Sequence, residues 1–102
     1  TGNLATGIAA KTASYTVTTN DGTVEFDATS GAATASLFAC SGNAGKILCI
    51  VKTDSSANAV TVDGNASELV GVATTISLAS QGSACIIQVN TAGTGWLILA
   101  RI

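Results

Sequence analysis

Alternation of apolar and polar residues, interrupted by turn-forming clusters about every ten residues, is the feature that most constrains the fold of this chain. Val, Ile and Thr are abundant, and Gly, Asn, Asp and Ser recur between the alternating stretches. This pattern is typical of the short strands of a β-sandwich or barrel. It predicts strands at residues 15–19, 23–27, 33–39, 46–52, 59–63, 74–79, 84–90 and 96–102. The Ala-rich pieces are interleaved with Thr, Ser and Gly rather than with strong helix formers, so we expect no helix.

The stretch from Ile47 to Val51 departs from this alternation because it is apolar at every position. A strand that is apolar on both faces is expected to be covered on both faces. Elsewhere the alternation is clear, with Val24 and Phe26 on the opposite side of their strand from Glu25. The sequence therefore predicts an all-β fold, in the form of a single antiparallel β-sandwich or barrel-like domain over residues 15–102.

Residues 1–14 differ from the rest because they lack a period-2 pattern and contain Gly2 and Gly7. Leu4 and Ile8 are their only sizeable apolar side chains. Alone, such a segment buries too little apolar surface to offset an ordering cost of about 1–2 kcal/mol per residue. We therefore predict an extended N-terminal arm over residues 1–14, which docks on a neighbouring molecule through Leu4 and Ile8.

Charged residues make up only 10% of the 102 residues, whereas an ordinary soluble domain has about 25%. The cations Lys11, Lys46, Lys52 and Arg101 are scattered, so no basic patch favours a nucleic acid partner. The chain also has no Pro and few charges with which to protect exposed sheet edges. We expect other copies of the chain to cover these edges and faces in a homo-oligomer. A polar but uncharged Ser/Thr surface is the alternative explanation.

The sequence gives no sign of a membrane segment or of secretion. No apolar run approaches the roughly 18 residues that a membrane-spanning helix needs, and the N-terminus lacks the basic-then-apolar order of a signal peptide. Cys40, Cys49 and Cys85 are odd in number and form no C-x-x-C pair. We therefore expect reduced, buried thiols, no membrane partner and synthesis in a reducing cytoplasm.

Catalytic and metal-binding residue patterns are missing from the sequence. The chain has no His, which removes the usual general base and the commonest zinc ligand. Glu25 and Asp27 are expected to form a solvated face, and Asp54 to cap its own turn. We therefore expect no enzymatic activity, no cofactor and no metal. Trp96 could offer a stacking platform for a sugar ligand, although a core position in the apolar last strand is the alternative.

One segment, residues 52–61, carries a more distinctive motif, Lys-Thr-Asp-Ser-Ser-Ala-Asn-Ala-Val-Thr. Tyr15-x-Val17 and Asp27 precede it, and the sequence from Gly93 to Trp96, Gly-Thr-Gly-Trp, follows it. Together these motifs resemble the β-rich module of tailed-bacteriophage virion proteins, which include head decoration, head-fibre and tail-fibre proteins. The resemblance covers residues 15–100. The chain departs from the module at residues 37–40, where Leu-Phe-Ala-Cys replaces the usual Leu-Pro pair.

This resemblance implies a structural virion protein without catalytic residues, and many such modules are trimeric. The expectation is a capsid decoration (cement) protein, made in the host bacterial cytoplasm and bound as a homotrimer to the outer capsid surface of the virion. Its partners would be its own copies and the major capsid protein. By binding the major capsid protein it would stabilise the phage head. A tail-fibre or receptor-binding module is an alternative, which sugar binding at Trp96 would favour. A bacterial surface lectin-like binding module is a further one.

Overall fold

The computed structural model describes residues 7–102, and these residues form nine strands and no helix. Consequently, this part of the chain has no helix that could cross a membrane. The strands are β1 (Gly7–Lys11), β2 (Tyr15–Thr16), β3 (Asp21–Phe26), β4 (Ala33–Ser36), β5 (Ile47–Lys52), β6 (Val60–Asp63), β7 (Thr75–Leu78), β8 (Ala84–Val89) and β9 (Trp96–Arg101).

The strands form two sheets. The larger sheet has five strands in the order β1-β3-β5-β8-β9, and the smaller sheet has four in the order β2-β4-β6-β7. Along the chain, the first six strands alternate between the two sheets, and each of the first four pairs in parallel with the strand two positions further on. Parallel strands need a crossover connection, and here the intervening strand in the other sheet is that crossover.

The last three strands pair in antiparallel fashion, β7 with β6, β8 with β5, and β9 with β8. The all-β prediction is confirmed. The antiparallel prediction does not hold for β1, β2, β3 and β4, whose four pairings are parallel, and neither sheet closes into a barrel. Period-2 alternation is the same in parallel and antiparallel strands, so the sequence pattern did not distinguish these arrangements.

One hydrophobic core receives side chains from both sheets. In β4 to β8, alternate residues are buried, as in β5, where Leu48, Ile50 and Lys52 are buried while their neighbours are half-buried. We call the buried side of each sheet its inner face and the opposite side its outer face. The core side chains supplied by the strands are Val24, Phe26, Ala33, Ala35, Leu48, Ile50, Val60, Val62, Ile76, Leu78, Cys85, Ile87, Val89 and Trp96.

Part of the predicted N-terminal arm belongs to the larger sheet. Residues 7–11 form β1, which pairs along β3 with Ile8 opposite Thr23 and Lys11 opposite Phe26. Ala9 packs against the core, whereas Ile8 is 67% exposed. The start of the sheet therefore does not coincide with the expected boundary after residue 14. Leu4 lies outside the described residues, so docking through Leu4 stays a prediction.

Candidate functional site

The two outer faces of the molecule differ in chemistry, and the difference follows from the residue alternation of each strand. On the larger sheet, one row of opposed residues crosses all five strands and consists of Ile8, Thr23, Cys49, Ile86 and Ala100. Successive side chains of a strand point to opposite faces, and in β5 and β8 the members of this row, Cys49 and Ile86, stand between buried residues. This row therefore lies on the outer face, with Cys49 at its centre.

Two further rows extend the same face. One row contains Ala10, Glu25, Val51 and Ala84, and Ile102 is joined to Ala84 by two backbone hydrogen bonds. The other row contains Ile47, Gln88 and Leu97. We call this surface the apolar outer face, and Glu25 is its one charged residue. Its members are Ile8, Ala10, Thr23, Glu25, Ile47, Cys49, Val51, Ala84, Ile86, Gln88, Leu97, Ala100 and Ile102.

The smaller sheet has a hydroxyl-rich outer face. Thr34, Thr61 and Ser77 form one row across β4, β6 and β7, and Ser36, Asp63 and Thr75 form the next. Thr16 lies opposite Ser36 at the edge. Hydroxyl groups keep hydrogen bonds with water, so this face is compatible with full hydration. Apart from Asp63, the sequence alternative of an uncharged Ser/Thr surface therefore describes the smaller sheet but not the larger one.

The edge of the larger sheet at β9 is exposed but partly protected. Leu97, Ile98 and Leu99 are 49%, 36% and 51% exposed. A register irregularity interrupts the β8–β9 ladder, and such bulges disfavour the addition of another strand. Arg101 at the same edge donates from Nη2 to the carbonyl oxygen of Ser77 on β7 at 2.8 Å. This contact bridges the edges of the two sheets.

A loop segment covers the start of the same edge. The backbone N–H of Trp96 donates to the carbonyl oxygen of Leu69 at 2.8 Å, and the N–H of Gly71 donates to the carbonyl oxygen of Trp96 at 2.9 Å. These bonds occupy the backbone groups of Trp96 that a further strand would need. The exposed apolar surface of the larger sheet is therefore mainly a face rather than an open edge.

The segment that carries the family resemblance forms a buried polar cluster, which we call the Asp54 cluster. Asp54 accepts a hydrogen bond from Lys52 Nζ on Oδ2 at 2.7 Å and one from the N–H of Ala28 on Oδ1 at 2.7 Å. The N–H of Ser56 donates to Asp54 Oδ2 at 3.0 Å, and the hydroxyl of Ser56 also donates to it. The prediction that Asp54 caps its own turn is confirmed by these bonds from Ser56.

Asn58 completes the Asp54 cluster by donating from Nδ2 to the carbonyl oxygen of Ala28 at 2.8 Å. The cluster thus joins the connection that follows β3 to the connection that follows β5. Because Lys52 and the Ser56 hydroxyl both bind the ionised carboxylate, they hold the pKa of Asp54 well below its usual range. The carboxylate oxygens are occupied by the protein's own donors, which gives this cluster a structural role.

The three cysteines lie in two kinds of environment. Cys40 and Cys85 are buried, as expected, whereas Cys49 is half-buried on the apolar outer face, and all three are free thiols. Burial raises the pKa of Cys40 to about 12, with the neighbouring Glu68 contributing, and raises that of Cys85 to about 11. Burial also raises the pKa of Cys49. Thiols of this kind are poor nucleophiles near neutral pH.

The residues predicted to bind partners or ligands are not brought together. Ile8 lies at the β1 edge of the larger sheet, and Trp96 lies in β9 at the opposite edge. Trp96 is only 2% exposed and packs edge-on against Phe38, with ring centroids 5.1 Å apart. Its ring therefore has no exposed face on which a sugar could stack. This is the core position that the sequence left as the alternative.

Surface depressions in the described residues lack the side chains of an active site. One of about 310 Å³ lies beside Gln88 and Leu97, one of about 410 Å³ beside Ser14 and Gly31, and one of about 170 Å³ beside Trp96. None of these three is lined by an ionisable residue. Within residues 7–102, no group of three Cys, Asp or Glu side chains is arranged to hold a metal ion.

Comparison with protein-family models and with curated proteins gives no relative for this chain. No protein-family model matches it, and no curated protein matches it at a significant level. Its functional interpretation therefore rests on its own residues and geometry. The most informative feature is the contrast between the two outer faces. The continuous apolar run in β5 indicated the apolar outer face of the larger sheet. The sequence did not show that β4, β6 and β7 belong to a sheet of their own, so the hydroxyl-rich outer face was not predicted.

Proposed function

We propose that this chain is a non-enzymatic structural protein of a bacteriophage virion, a capsid decoration protein that works as a homo-oligomer, in particular a trimer. In this proposal it binds the major capsid protein on the outer surface of the head and stabilises the head. Its two sheets would pack as a β-sandwich. The observation that carries the proposal is the apolar outer face of the larger sheet, which the described residues leave uncovered.

The apolar outer face favours an assembly role on energetic grounds. Burying one Val, Leu or Ile side chain contributes about 1.5–3 kcal/mol, and the face presents Ile8, Ile47, Val51, Ile86 and Leu97 together. The largest contiguous apolar patch on a soluble protein, typically about 300–600 Å², is often an interaction site. A protein assembled at high copy number on a particle can keep such a face buried against neighbours.

The Asp54 cluster supports the same proposal from a second direction. Its residues Lys52, Asp54, Ser56 and Asn58 belong to the segment that resembles the phage virion module. Their hydrogen bonds are internal, as expected of a motif that preserves a scaffold rather than a reaction centre. Because Trp96 is buried, the receptor-binding alternative loses the sugar platform that would have favoured it.

A protein census of purified virions tests the proposal. Quantitative mass spectrometry of particles from the phage that encodes this chain should find it at a copy number comparable to that of the major capsid protein. Heads that lack the chain should regain it when purified protein is added, and should then resist heating or chelation better than bare heads. Absence of the chain from virions, or presence at only a few copies per particle, would contradict the decoration role.

A further inference from the structure

The apolar outer face of the larger sheet has a position, a composition and a size that together indicate what covers it. It rests on five strands, and its central strand β5 is apolar on both sides. The inner side, with Leu48 and Ile50, packs in the core. The outer side, with Ile47, Cys49 and Val51, is only half-buried. A strand of this composition is normally covered on both sides.

We propose that a second copy of this chain packs on the apolar outer face, so that the self-association surface is centred on Cys49 and Ile86 and the hydroxyl-rich outer face stays in water. This inference deepens the proposed function, because it assumes that the chain works as a homo-oligomer. It assigns the contact to one particular face of the larger sheet. About a two-fold axis such a face meets its own copy, and in a trimer whose three faces surround the symmetry axis, the residues nearest the axis approach the same residues of the neighbouring copies.

The size of the face lies near the lower limit for such a contact. Strands spaced about 4.8 Å apart and rising about 3.3 Å per residue give five strands of about five residues a projected area of roughly 400 Å². The accessible area is larger because side chains project from the sheet, and Leu99 and Ile102 add exposed apolar surface at its margin. The total approaches the 600 Å² per partner, roughly, at which specific interfaces begin.

The composition of the face favours a second copy over a partner of opposite charge. Glu25 is its one charged residue, so it offers little with which to recognise a strongly charged surface. Flat apolar β-faces can pack on one another about 10 Å apart, as sheets do within a domain. The β9 edge is less suitable, because Arg101, the register irregularity and the segment around Leu69 restrict strand addition there.

Two matched variants test this inference in purified protein without heads. Ile86→Lys places a charge at the centre of the apolar outer face, and Thr61→Lys places the same charge at the centre of the hydroxyl-rich outer face. Sedimentation equilibrium of the wild type should give a multiple of the 10.0 kDa chain mass. Ile86→Lys should raise the dissociation constant at least about 30-fold, as expected at an interface hot spot. Thr61→Lys should leave it unchanged.

Cross-linking through Cys49 provides a readout that does not depend on the variants folding. A short bismaleimide should join two wild-type chains through Cys49, because Cys40 and Cys85 are buried. The Cys49→Ser variant should give no cross-linked product. If Ile86→Lys does not fold, judged by circular dichroism, the wild type decides alone. A product that depends on Cys49, or alkylation of Cys49 that becomes faster as dilution separates the copies, supports the inference. Alkylation of Cys49 at the same rate at all protein concentrations, with no cross-linked product, overturns it.

The remaining outcomes separate the inference from the proposed function. Association that withstands Ile86→Lys in the folded variant would overturn the assigned surface while leaving a homo-oligomer possible. A wild type that stays at 10.0 kDa, with Cys49 protected from alkylation only after heads are added, would show that the capsid covers the face and would also overturn the inference. Self-association through the face, in a protein absent from virions, would instead support the inference and contradict the decoration role.

Discussion

Lys52 and Asp54 form an ion pair with 2.7 Å between Nζ and Oδ2, although they are only two residues apart and almost completely buried. Lys52 is the last residue of β5, and it points to the inner face of the larger sheet. Asp54 follows in the connection to β6 and also binds the N–H of Ala28. The pair therefore fixes the point at which the chain leaves one sheet for the other.

Removing one partner of this pair should be costly. Lys52→Met keeps much of the apolar volume but leaves the Asp54 carboxylate without its cation, and breaking a buried pair in this way costs about 3–5 kcal/mol. Lys11→Met is the control, because Lys11 makes a cation–π contact 4.2 Å from the ring centre of Tyr15, worth about 0.5–1 kcal/mol. Urea unfolding of both variants measures the difference. Equal losses of unfolding free energy in the two variants would show that the buried pair stabilises the fold no more than the contact between Lys11 and Tyr15 does.

Acid should destabilise the protein through Asp54. Its pKa is lowered in the folded state, first by Lys52 and then by Ser56, so the unfolded chain binds a proton more readily. The stabilisation is therefore complete above the unfolded pKa near 3.8 and is lost as the pH falls through the lower folded pKa. Unfolding free energies measured from about pH 7 down to about pH 2 should fall steeply below about pH 4.

Two variants separate Asp54 from other carboxylates in this acid response. Asp54→Asn should be less stable than the wild type at neutral pH but should lose much less stability on acidification. Asp27→Asn should change the loss of unfolding free energy on acidification less than Asp54→Asn does. The pKa of Asp27 is also lowered, by hydrogen bonds from Thr29, but its side chain is exposed and screened by solvent. An unchanged acid response in Asp54→Asn would contradict this assignment.

The sequence predicted strand positions well because strand alternation is a local property. Residues 23–27 were predicted for a strand now found at Asp21–Phe26, and residues 84–90 for one found at Ala84–Val89. Pairing partners were not predictable in the same way. Thr23 pairs with Cys49, 26 residues away, and nothing in either strand records whether its neighbour runs parallel or antiparallel.

The candidate surface was predictable only in part for the same reason. The apolar run of β5 indicated two covered sides, and the structure shows that the chain itself covers one of them. The hydroxyl-rich outer face depends on β4, β6 and β7 lying side by side. Thr34, Thr61 and Ser77 are far apart in sequence, and only the strand order places them in one row.

A pair of glycine variants tests the packing of the connection between β6 and β7. A Cβ added at Gly64 would overlap the carbonyl oxygen of Glu68 and lie 3.1 Å from its carbon. Because both atoms are backbone, the loop would have to move, so Gly64→Ala should lower the melting temperature markedly. At Gly31 a Cβ would meet nothing within 4 Å, so Gly31→Ala should be neutral or stabilise by up to about 1 kcal/mol. Equal melting temperatures for the two variants would contradict this packing.

Thiol reactivity should distinguish the three cysteines. In native protein at about pH 8, maleimide should modify Cys40 and Cys85 slowly, because burial keeps these thiols protonated and inaccessible. Cys49 should react faster than Cys40 and Cys85 in those molecules of the protein whose apolar outer face is not covered. Peptide mapping after timed alkylation gives the three rates, with urea-unfolded protein as the reference. Rapid modification of Cys85 in folded protein would contradict its burial.

Truncation at two points should separate the N-terminal arm from β1. If residues 1–14 were a docking arm outside the folded domain, as the sequence predicts, their removal would leave the melting temperature nearly intact. However, β1 pairs along β3, Ala9 packs against the core, and the carbonyl oxygen of Lys11 accepts a hydrogen bond from the N–H of Asp27 at 2.9 Å. Removing residues 1–11 should therefore lower the melting temperature by at least about 5 °C, the shift that about 1 kcal/mol produces in a domain of this size.

Removing residues 1–6 instead keeps β1 and removes Leu4, the first of the two predicted docking residues. This shorter deletion should leave the melting temperature unchanged, because it keeps every described residue of the larger sheet. If Leu4 docks on a neighbour or on the capsid, it should weaken attachment to heads in a co-sedimentation assay. Equal melting temperatures for both deletions would show that β1 contributes nothing to stability. Equal attachment of the shorter deletion and the wild type would eliminate Leu4 as a docking residue and leave Ile8, at the exposed end of β1, as the remaining candidate.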